Sequence, residues 1–297
     1  MIEFCGLTLA HPIVNGSGTF DAIAARRAFG PSLARDFPFA AYVSKTITLA
    51  PRAGNPPPRL WEAAGGLVNS IGLPNKGLDG YVAEDLPKLS QLLAEAAAPG
   101  DAPLALITNV MGSSAEEFAA LVSACDRRAE IAAIELNVSC PNVETGLDIG
   151  ANPRQLRQVV AACRASTRKP LIVKLTPNTA DVAACAEAAQ AGGADAVSLI
   201  NTLRAMALAP GAGAAREPWL GARTGGLSGP AIRVVALAQV AAVAARVSIP
   251  VVGMGGVQRT AHARDLLDAG ATLVAVGTET FRDPTAAARI AGDLRGG

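Results

Sequence analysis

Two histidines, His11 and His262, are all the imidazole in this chain, which leaves little room for a Ser-His-Asp triad. Aromatic residues are 4% of the sequence and charged residues 17%, below the roughly 25% usual in soluble domains. No charge sign dominates either. Lys plus Arg number 26 against 25 Asp plus Glu, a net charge of +1, so nothing in the charge balance prepares the chain for nucleic acid or an anionic membrane. No run of about 18 apolar residues goes uninterrupted, and no transmembrane helix is expected. The start, Met1-Ile2-Glu3, has no basic segment ahead of an apolar one, so no signal peptide is expected. The five cysteines, Cys5, Cys125, Cys140, Cys163 and Cys185, are odd in number and scattered, without a C-x-x-C pair. That argues against a disulfide framework, a zinc site or a resident iron–sulfur cluster, and makes a reducing cytoplasm the expected compartment.

What the chain does have is 297 residues, half of them apolar, enough for a sizeable core and too many for disorder. Short β-branched runs alternate with alanine-rich segments of helical character, the rhythm of βα units on a parallel sheet. Eight candidate strands cover residues 12–15, 41–45, 104–109, 132–137, 171–175, 196–200, 249–253 and 273–276. They read as continuous apolar runs, as strands buried on both faces should. Helices are expected over 116–128, 153–167, 180–191, 230–246 and 284–294. Gly192-Gly193 closes the third, and Pro230 and Pro284 open the last two, the latter after a capping Asp283. This pattern predicts one (β/α)₈ barrel domain over residues 1–297. A doubly wound open sheet is the competing fold. Its dinucleotide form calls for G-x-G-x-x-G after the first strand, whereas Asn15-Gly16-Ser17-Gly18-Thr19-Phe20 has another spacing. Two connections, 46–103 and 202–248, exceed plain βα turns and are expected to serve as lids or binding loops.

In a barrel the strand C-termini form the active-site face. The predicted ends carry Asn15 and Ser17, Ser44-Lys45-Thr46, Thr108-Asn109, Asn137 with Cys140 and Asn142, Lys174 with Thr176 and Asn178, Asn201-Thr202, Gly255-Gly256, and Gly277-Thr278. Amides, lysines, hydroxyls and glycines converge, with almost no carboxylate, which suits an anionic or acceptor-rich ligand. Gly255-Gly256 and Gly277-Thr278 follow the last two strands, where barrel phosphate sites are frequently built from backbone N–H groups. The alternative is a pair of tight turns. Lys45 and Lys174 end apolar runs, and a buried ammonium needs a partner, either a ligand or a core carboxylate. Cys140 alone among the cysteines sits in a loop after a strand. A thiol titrating near about 8.5 can act as a base, or it can pack inertly. Cys125, Cys163 and Cys185 fall in helical segments and Cys5 precedes the first barrel strand, so these four read as structural.

Taken in order, the segments Ser44-Lys-Thr46, Asn69-Ser-Ile-Gly-Leu73, Asn137-Val-Ser-Cys-Pro-Asn142, Lys174-Leu-Thr-Pro-Asn178, Ile200-Asn-Thr202, Gly225-Gly-Leu-Ser-Gly-Pro230, Gly253-Met-Gly-Gly256 and Val276-Gly-Thr278 resemble the class 1 dihydroorotate dehydrogenases along nearly the whole chain. The resemblance implies an FMN-containing barrel that oxidises dihydroorotate to orotate in pyrimidine biosynthesis. It implies that Cys140 removes a proton from C5 while a hydride leaves C6 for the flavin. Ser17, Lys45, Thr46, Asn109, Asn137, Lys174, Ile200, Gly229, Gly255, Gly256, Gly277 and Thr278 would line FMN. Lys45, Asn69, Ser70, Ile71, Gly72, Leu73, Asn137, Asn142, Asn201 and Thr202 would hold the substrate. Asparagines suit such a ring because each amide both donates and accepts. A lysine beside the pyrimidine end of the flavin would stabilise its reduced, anionic form.

Gly-Leu-Ser-Gly-Pro and Gly-Met-Gly-Gly look like the NAD-linked subclass 1B. That likeness implies a second subunit carrying FAD and a [2Fe–2S] cluster, with this chain as a homodimeric core of a heterotetramer and no nucleic-acid or membrane partner. Asn69-Ser-Ile-Gly-Leu-Pro-Asn75 is shared in similar form by the fumarate-linked subclass 1A, which stands as the alternative. Another flavin-dependent dihydropyrimidine oxidoreductase, or a colourless phosphate-binding barrel, are the further competitors.

Overall fold

The computed structural model describes residues 1–98, 100–138, 146–211 and 216–296, and of 146–148 the backbone alone. An N-terminal hairpin, β1 (Ile2–Phe4) and β2 (Leu7–Leu9), turns through Cys5 and Gly6. Next come β3 (Ile13–Asn15), α1 (Ala22–Phe29), α2 (Ser32–Arg35) and β4 (Ala41–Val43). A second hairpin, β5 (Leu60–Ala63) and β6 (Gly66–Asn69), leads to α3 (Gly77–Gly80) and α4 (Leu86–Glu95). Regular alternation then sets in. β7 (Ala105–Val110), α5 (Ala115–Asp126), β8 (Ala133–Asn137), α6 (Gly146–Ala151), α7 (Pro153–Arg164), β9 (Leu171–Lys174), α8 (Val182–Ala191) and β10 (Ala196–Leu199) follow one another. Short strands β11 (Leu203–Ala205) and β12 (Gly225–Ser228) precede α9 (Arg233–Ala244), β13 (Val251–Met254), α10 (Thr260–Asp268), β14 (Leu273–Val276), α11 (Glu279–Arg282) and α12 (Ala286–Gly296).

All eight expected strands form one parallel sheet in the order β4-β7-β8-β9-β10-β13-β14-β3. The sheet closes into a (β/α)₈ barrel, because β3 and β4 also meet. The Ala40 N–H donates to the Ile13 carbonyl at 3.0 Å. Above it the Asn15 side chain donates to the Val43 carbonyl at 2.7 Å and accepts from the Val43 N–H at 2.8 Å.

Strand side chains alternate between two cores. Ile134 and Leu136 of β8, Leu171 and Val173 of β9, and Val274 and Val276 of β14 face the helices. Ala133, Ile172, Ala196, Val252, Leu273 and Ala275 fill the barrel interior, joined by Phe4 and Leu9 of the N-terminal hairpin, which cover its lower end. Both faces being buried explains why the strands read as unbroken apolar runs.

Helix starts follow their caps. Asp21, Ser114, Asn152 and Asp181 accept backbone N–H bonds at the heads of α1, α5, α7 and α8. Gly193, at φ 97°, follows α8 as expected. The helix read over 230–246 begins with a tighter turn, Pro230–Ile232, before α9. The helix read from Pro284 begins instead at Ala286, and Asp283 still accepts from the Thr285 N–H at 3.0 Å.

The two long connections are more ordered than plain lids. They contribute β5, β6, β11 and β12 to a four-stranded antiparallel sheet, order β11-β12-β6-β5, rising from the strand C-termini. Trp61 of β5 packs edge-on against Trp219 at 5.4 Å, whose Nε1–H donates to the Leu60 carbonyl.

Candidate active site

At the C-terminal mouth of the barrel, the inward positions of the strands turn polar. Asn109 on β7, Glu135 and Asn137 on β8, Lys174 on β9 and Ser198 on β10 are all buried. In register, Asn109 lies beside Glu135, Asn137 beside Lys174, and Lys174 beside Ser198. Asn109 Nδ2 donates to Glu135 Oε1, and Ser198 Oγ donates to Glu135 Oε2 at 2.9 Å. The Asn109 backbone N–H donates to Ser44 Oγ at 3.1 Å, and its carbonyl accepts from the Ile47 N–H.

A second polar chain lies above. Asn137 Nδ2 donates to Thr46 Oγ1 at 3.2 Å, and Thr46 Oγ1 is 3.4 Å from Ser17 Oγ, which donates to the Ser44 carbonyl at 2.8 Å. The loops after β3 and β4 and the end of β8 are thereby tied together. In both asparagines the amide oxygen, Asn109 Oδ1 and Asn137 Oδ1, is buried and has no hydrogen-bond partner among the described residues. No ion pair joins Lys174 to a carboxylate among the described residues, although its side chain is only 6% exposed.

The glycine pairs also converge. Gly255 and Gly256 follow β13 at φ 137° and 67°, conformations that L side chains rarely adopt. A Cβ on Gly256 would sit 2.8 Å from the Gly229 carbonyl oxygen, and one on Gly255 would sit 2.6 Å from Ala236 Cβ and 3.5 Å from Ile200. A Cβ on Gly229 would come within 3.8 Å of Thr278, and Gly277 lies against Gly16. Backbone from four loops thus converges in a cradle in which Gly255 and Gly256 have no room for a side chain, while Gly16 and Gly277 would meet only ordinary contacts.

The expected substrate residues make a third group on the small sheet. Asn69 Nδ2 donates to the Gly226 carbonyl at 3.3 Å, and Gly226 packs on Thr202. Ser70 is fully buried and accepts from Asn55 Nδ2, while the Ile71 carbonyl accepts from the Asn55 N–H. Gly72 and Leu73 both take positive φ, 74° and 54°. Asn201 accepts from the Thr202 N–H at 2.9 Å. Cys140 and Asn142 lie outside the described residues.

Lys45 stands between Ser44 and Thr46 of the second polar chain. It lines a cavity of about 550 Å³ with Gly18, Phe20, Ser44, Thr46 and Tyr81, which opens between α1 and α4. Partial desolvation pulls its pKa below the ordinary lysine value, Asp21 opposes the shift and Arg59 adds to it. Burial does the reverse to the thiols read as structural, raising Cys5 to about 11 and Cys125 and Cys163 each to about 12. Such groups are poor bases at neutral pH.

The sequence pattern predicted a mouth almost free of carboxylate. Glu135 corrects that reading, since it sits within the polar layer at 4% exposure. Its signal was present as a single acidic residue in the apolar run Ala132-Ala-Ile-Glu-Leu-Asn137, in phase with Asn137. Ser198 gave no comparable signal.

A family model described as dihydroorotate dehydrogenase matches residues 1–296. The chain belongs to the dihydroorotate dehydrogenase family. Among the dihydroorotate dehydrogenases it is 42% identical to a protein of Pelobacter propionicus named dihydroorotate dehydrogenase B (NAD(+)), catalytic subunit, over 98% of this chain and 90% of that one. It is 41% identical to a protein of the same name from Geobacter sulfurreducens, over 99% and 91%. A crystal structure of DHODH from Eimeria tenella in complex with ferulenol is similar with a TM-score of 0.79, covering 99% of this chain and 82% of that one. At 22% identity that likeness bears on the fold alone.

Proposed function

We propose that this chain is the FMN-dependent catalytic subunit of an NAD-linked dihydroorotate dehydrogenase, one domain over residues 1–297 that oxidises (S)-dihydroorotate to orotate in the cytoplasm. One observation carries the flavin assignment. Two buried amide oxygens, Asn109 Oδ1 and Asn137 Oδ1, lack donors among the described residues, Asn137 stands beside the buried Lys174, and a glycine cradle lies at β13 and β14. Leaving a buried acceptor unpaired costs about 1–3 kcal/mol, so such atoms call for a ligand N–H. A flavin offers that N–H flanked by two carbonyls at one end and a phosphate at the other, which matches amide, ammonium and cradle in turn. FMN, when bound, supplies the hydride acceptor.

The chain's own residues hold the ring and move the proton. Lys174 meets the pyrimidine end with a positive charge, and Gly229, Gly255, Gly256, Gly277 and Thr278 receive the phosphate through backbone N–H groups. Asn69, Thr202 and Asn201 orient the dihydropyrimidine through its alternating N–H and C=O groups. Cys140, as thiolate, takes the proton from C5. The C6–H bond breaks with its electron pair leaving as hydride, and a C5–C6 double bond forms. The substrate loses two electrons and two hydrogens in balance.

Those electrons leave through a second subunit, proposed to carry FAD and a [2Fe–2S] cluster, which reduces NAD. The relatives' names as catalytic subunits support a separate partner. The dispersed cysteines of this chain offer no cluster of their own. We place this chain as a homodimer at the centre of a heterotetramer. No helix among the described residues is long and apolar enough to cross a membrane.

The purified chain should be yellow, should release FMN rather than FAD on denaturation, and should be bleached by dihydroorotate. It should reduce NAD only after mixing with the partner subunit. Colourless protein that FMN cannot reconstitute would overturn the reading. NAD reduction by the isolated chain at a comparable rate would remove the partner, and efficient turnover with fumarate would move the enzyme to the other subclass.

A further inference from the structure

A carboxylate inside a barrel is expensive unless its oxygens are satisfied. Glu135 satisfies both of its own, one with Asn109 Nδ2 and one with Ser198 Oγ. It lies below the rim, on the same strand and the same face as Asn137. Because a carboxylate only accepts, it tolerates one orientation of the neighbouring amide. With the Asn109 amide turned over, its oxygen would face Glu135 Oε1, two acceptors in contact with no proton between them. Glu135 therefore selects the state in which Asn109 Oδ1 points away from it, buried and without a partner. One step higher on β8, Thr46 Oγ1 accepts from Asn137 Nδ2 and leaves Asn137 Oδ1 without a partner among the described residues, but a hydroxyl both donates and accepts and does not by itself enforce that orientation.

We propose that Glu135 is a positioning residue of the flavin site, fixing the Asn109 amide so that Oδ1 presents an acceptor to a ring N–H. This rests on the reading that FMN lies over the ends of β7 and β8. Glu135 touches neither ring nor substrate; it acts through Asn109. Ser198 holds the carboxylate's other oxygen and so keeps Oε1 against the amide. The barrel interior thus carries a selection rule for the ligand edge, set two residues down the strand from the rim. A ring whose edge offers N–H is accepted, and one offering only acceptors meets two carbonyl oxygens.

The test is a double-substitution cycle read by FMN binding to the apoprotein. Glu135→Gln keeps the shape, but with its carbonyl held by the Ser198 hydroxyl it turns its NH2 toward Asn109 and favours the flipped amide, which points Nδ2 into the site. It should raise the FMN Kd about ten- to thirtyfold, as the loss of a charge-assisted positioning contact would. In an Asn109→Ala background the same change at Glu135 should leave the FMN Kd within about twofold, because the amide it positions is gone. An effect equally large in both backgrounds, or none in either, would overturn the proposal. Thermal melting of each apoprotein separates lost folding from lost positioning. Should Glu135→Gln or Asn109→Ala fail to fold, Ser198→Ala gives a second route, expected to weaken FMN about threefold and to have its effect reversed by Ser198→Thr. An unchanged Kd in Ser198→Ala would then count against it. Wild-type apoprotein that binds no FMN would overturn the functional reading itself, a result distinct from a wild type that binds FMN with an additive cycle.

Discussion

Asn15 completes the barrel with its side chain, exchanging two hydrogen bonds with the backbone of Val43 where β3 and β4 lack a regular ladder. One amide replaces one rung. Asn15 is fully buried, so neither bond competes with water. At sequence level it belonged with the polar rim residues; in the folded chain it serves the seam.

Asn15→Leu leaves the Val43 N–H and C=O unpaired in the interior. At about 1–3 kcal/mol for each of the two orphaned groups, unfolding should become easier by about 2–6 kcal/mol. Asn15→Asp retains the acceptor but sets a buried carboxylate oxygen against the Val43 and Gly16 carbonyls, and should be no more stable than Asn15→Leu near neutral pH. Urea unfolding of the apoprotein measures both, and equal stability of Asn15→Leu and wild type would dismiss the seam.

His11 adds a pH dependence at the start of the first barrel strand. Its Nδ1 accepts from the Ile13 N–H at 3.2 Å, a bond that protonation of Nδ1 removes. Burial, with help from Arg295, depresses the imidazole from 6.5 to about 4. Between those values the unfolded chain binds the proton and the folded chain does not, so stability rises with pH across that window. The folded state should lose up to about 3 kcal/mol on acidification from pH 6.5 to 4. His11→Asn should flatten that slope in denaturation curves taken at several pH values; an unchanged slope would place the acid sensitivity elsewhere.

Cys140 carries the proton transfer in the proposed mechanism. Cys140→Ala should slow reduction of the bound flavin by dihydroorotate roughly 10²–10⁴-fold, the span of a general base. Cys140→Ser should also be slow near neutral pH, because a hydroxyl is far less acidic than a thiol. Stopped-flow reduction at the wild-type rate in the alanine variant would remove Cys140 from the chemistry.

Lys174 has no carboxylate partner among the described residues, which leaves its charge for the ligand. Lys174→Ala should raise the FMN Kd by about ten- to a hundredfold, the worth of a charged hydrogen bond of about 1.5–3 kcal/mol, and lower the flavin potential. Equilibrium binding and a redox titration read the two effects. Full cofactor content at an unchanged potential would give Lys174 a structural role instead.

The sequence alone determined the barrel. Each of the eight strands is buried on both faces, so each is an unbroken apolar run, and such runs are visible without neighbours. The glycine pairs, Lys174 and the asparagines were legible because they sit at the ends of those runs, where polarity is otherwise unexpected. The small sheet was not. Its strands are three or four residues long, and β12 opens Gly225-Gly226, which reads as a turn. Only pairing between distant segments, Asn69 with Gly226 and Leu203 with Leu227, makes them strands. Glu135 and Asn15 depended on tertiary structure in the same way. Their residue types gave polarity and position along the chain, but Glu135 finds its partners on two other strands, 26 and 63 residues away, and Asn15 finds Val43, 28 residues on, and those partners decide what each does.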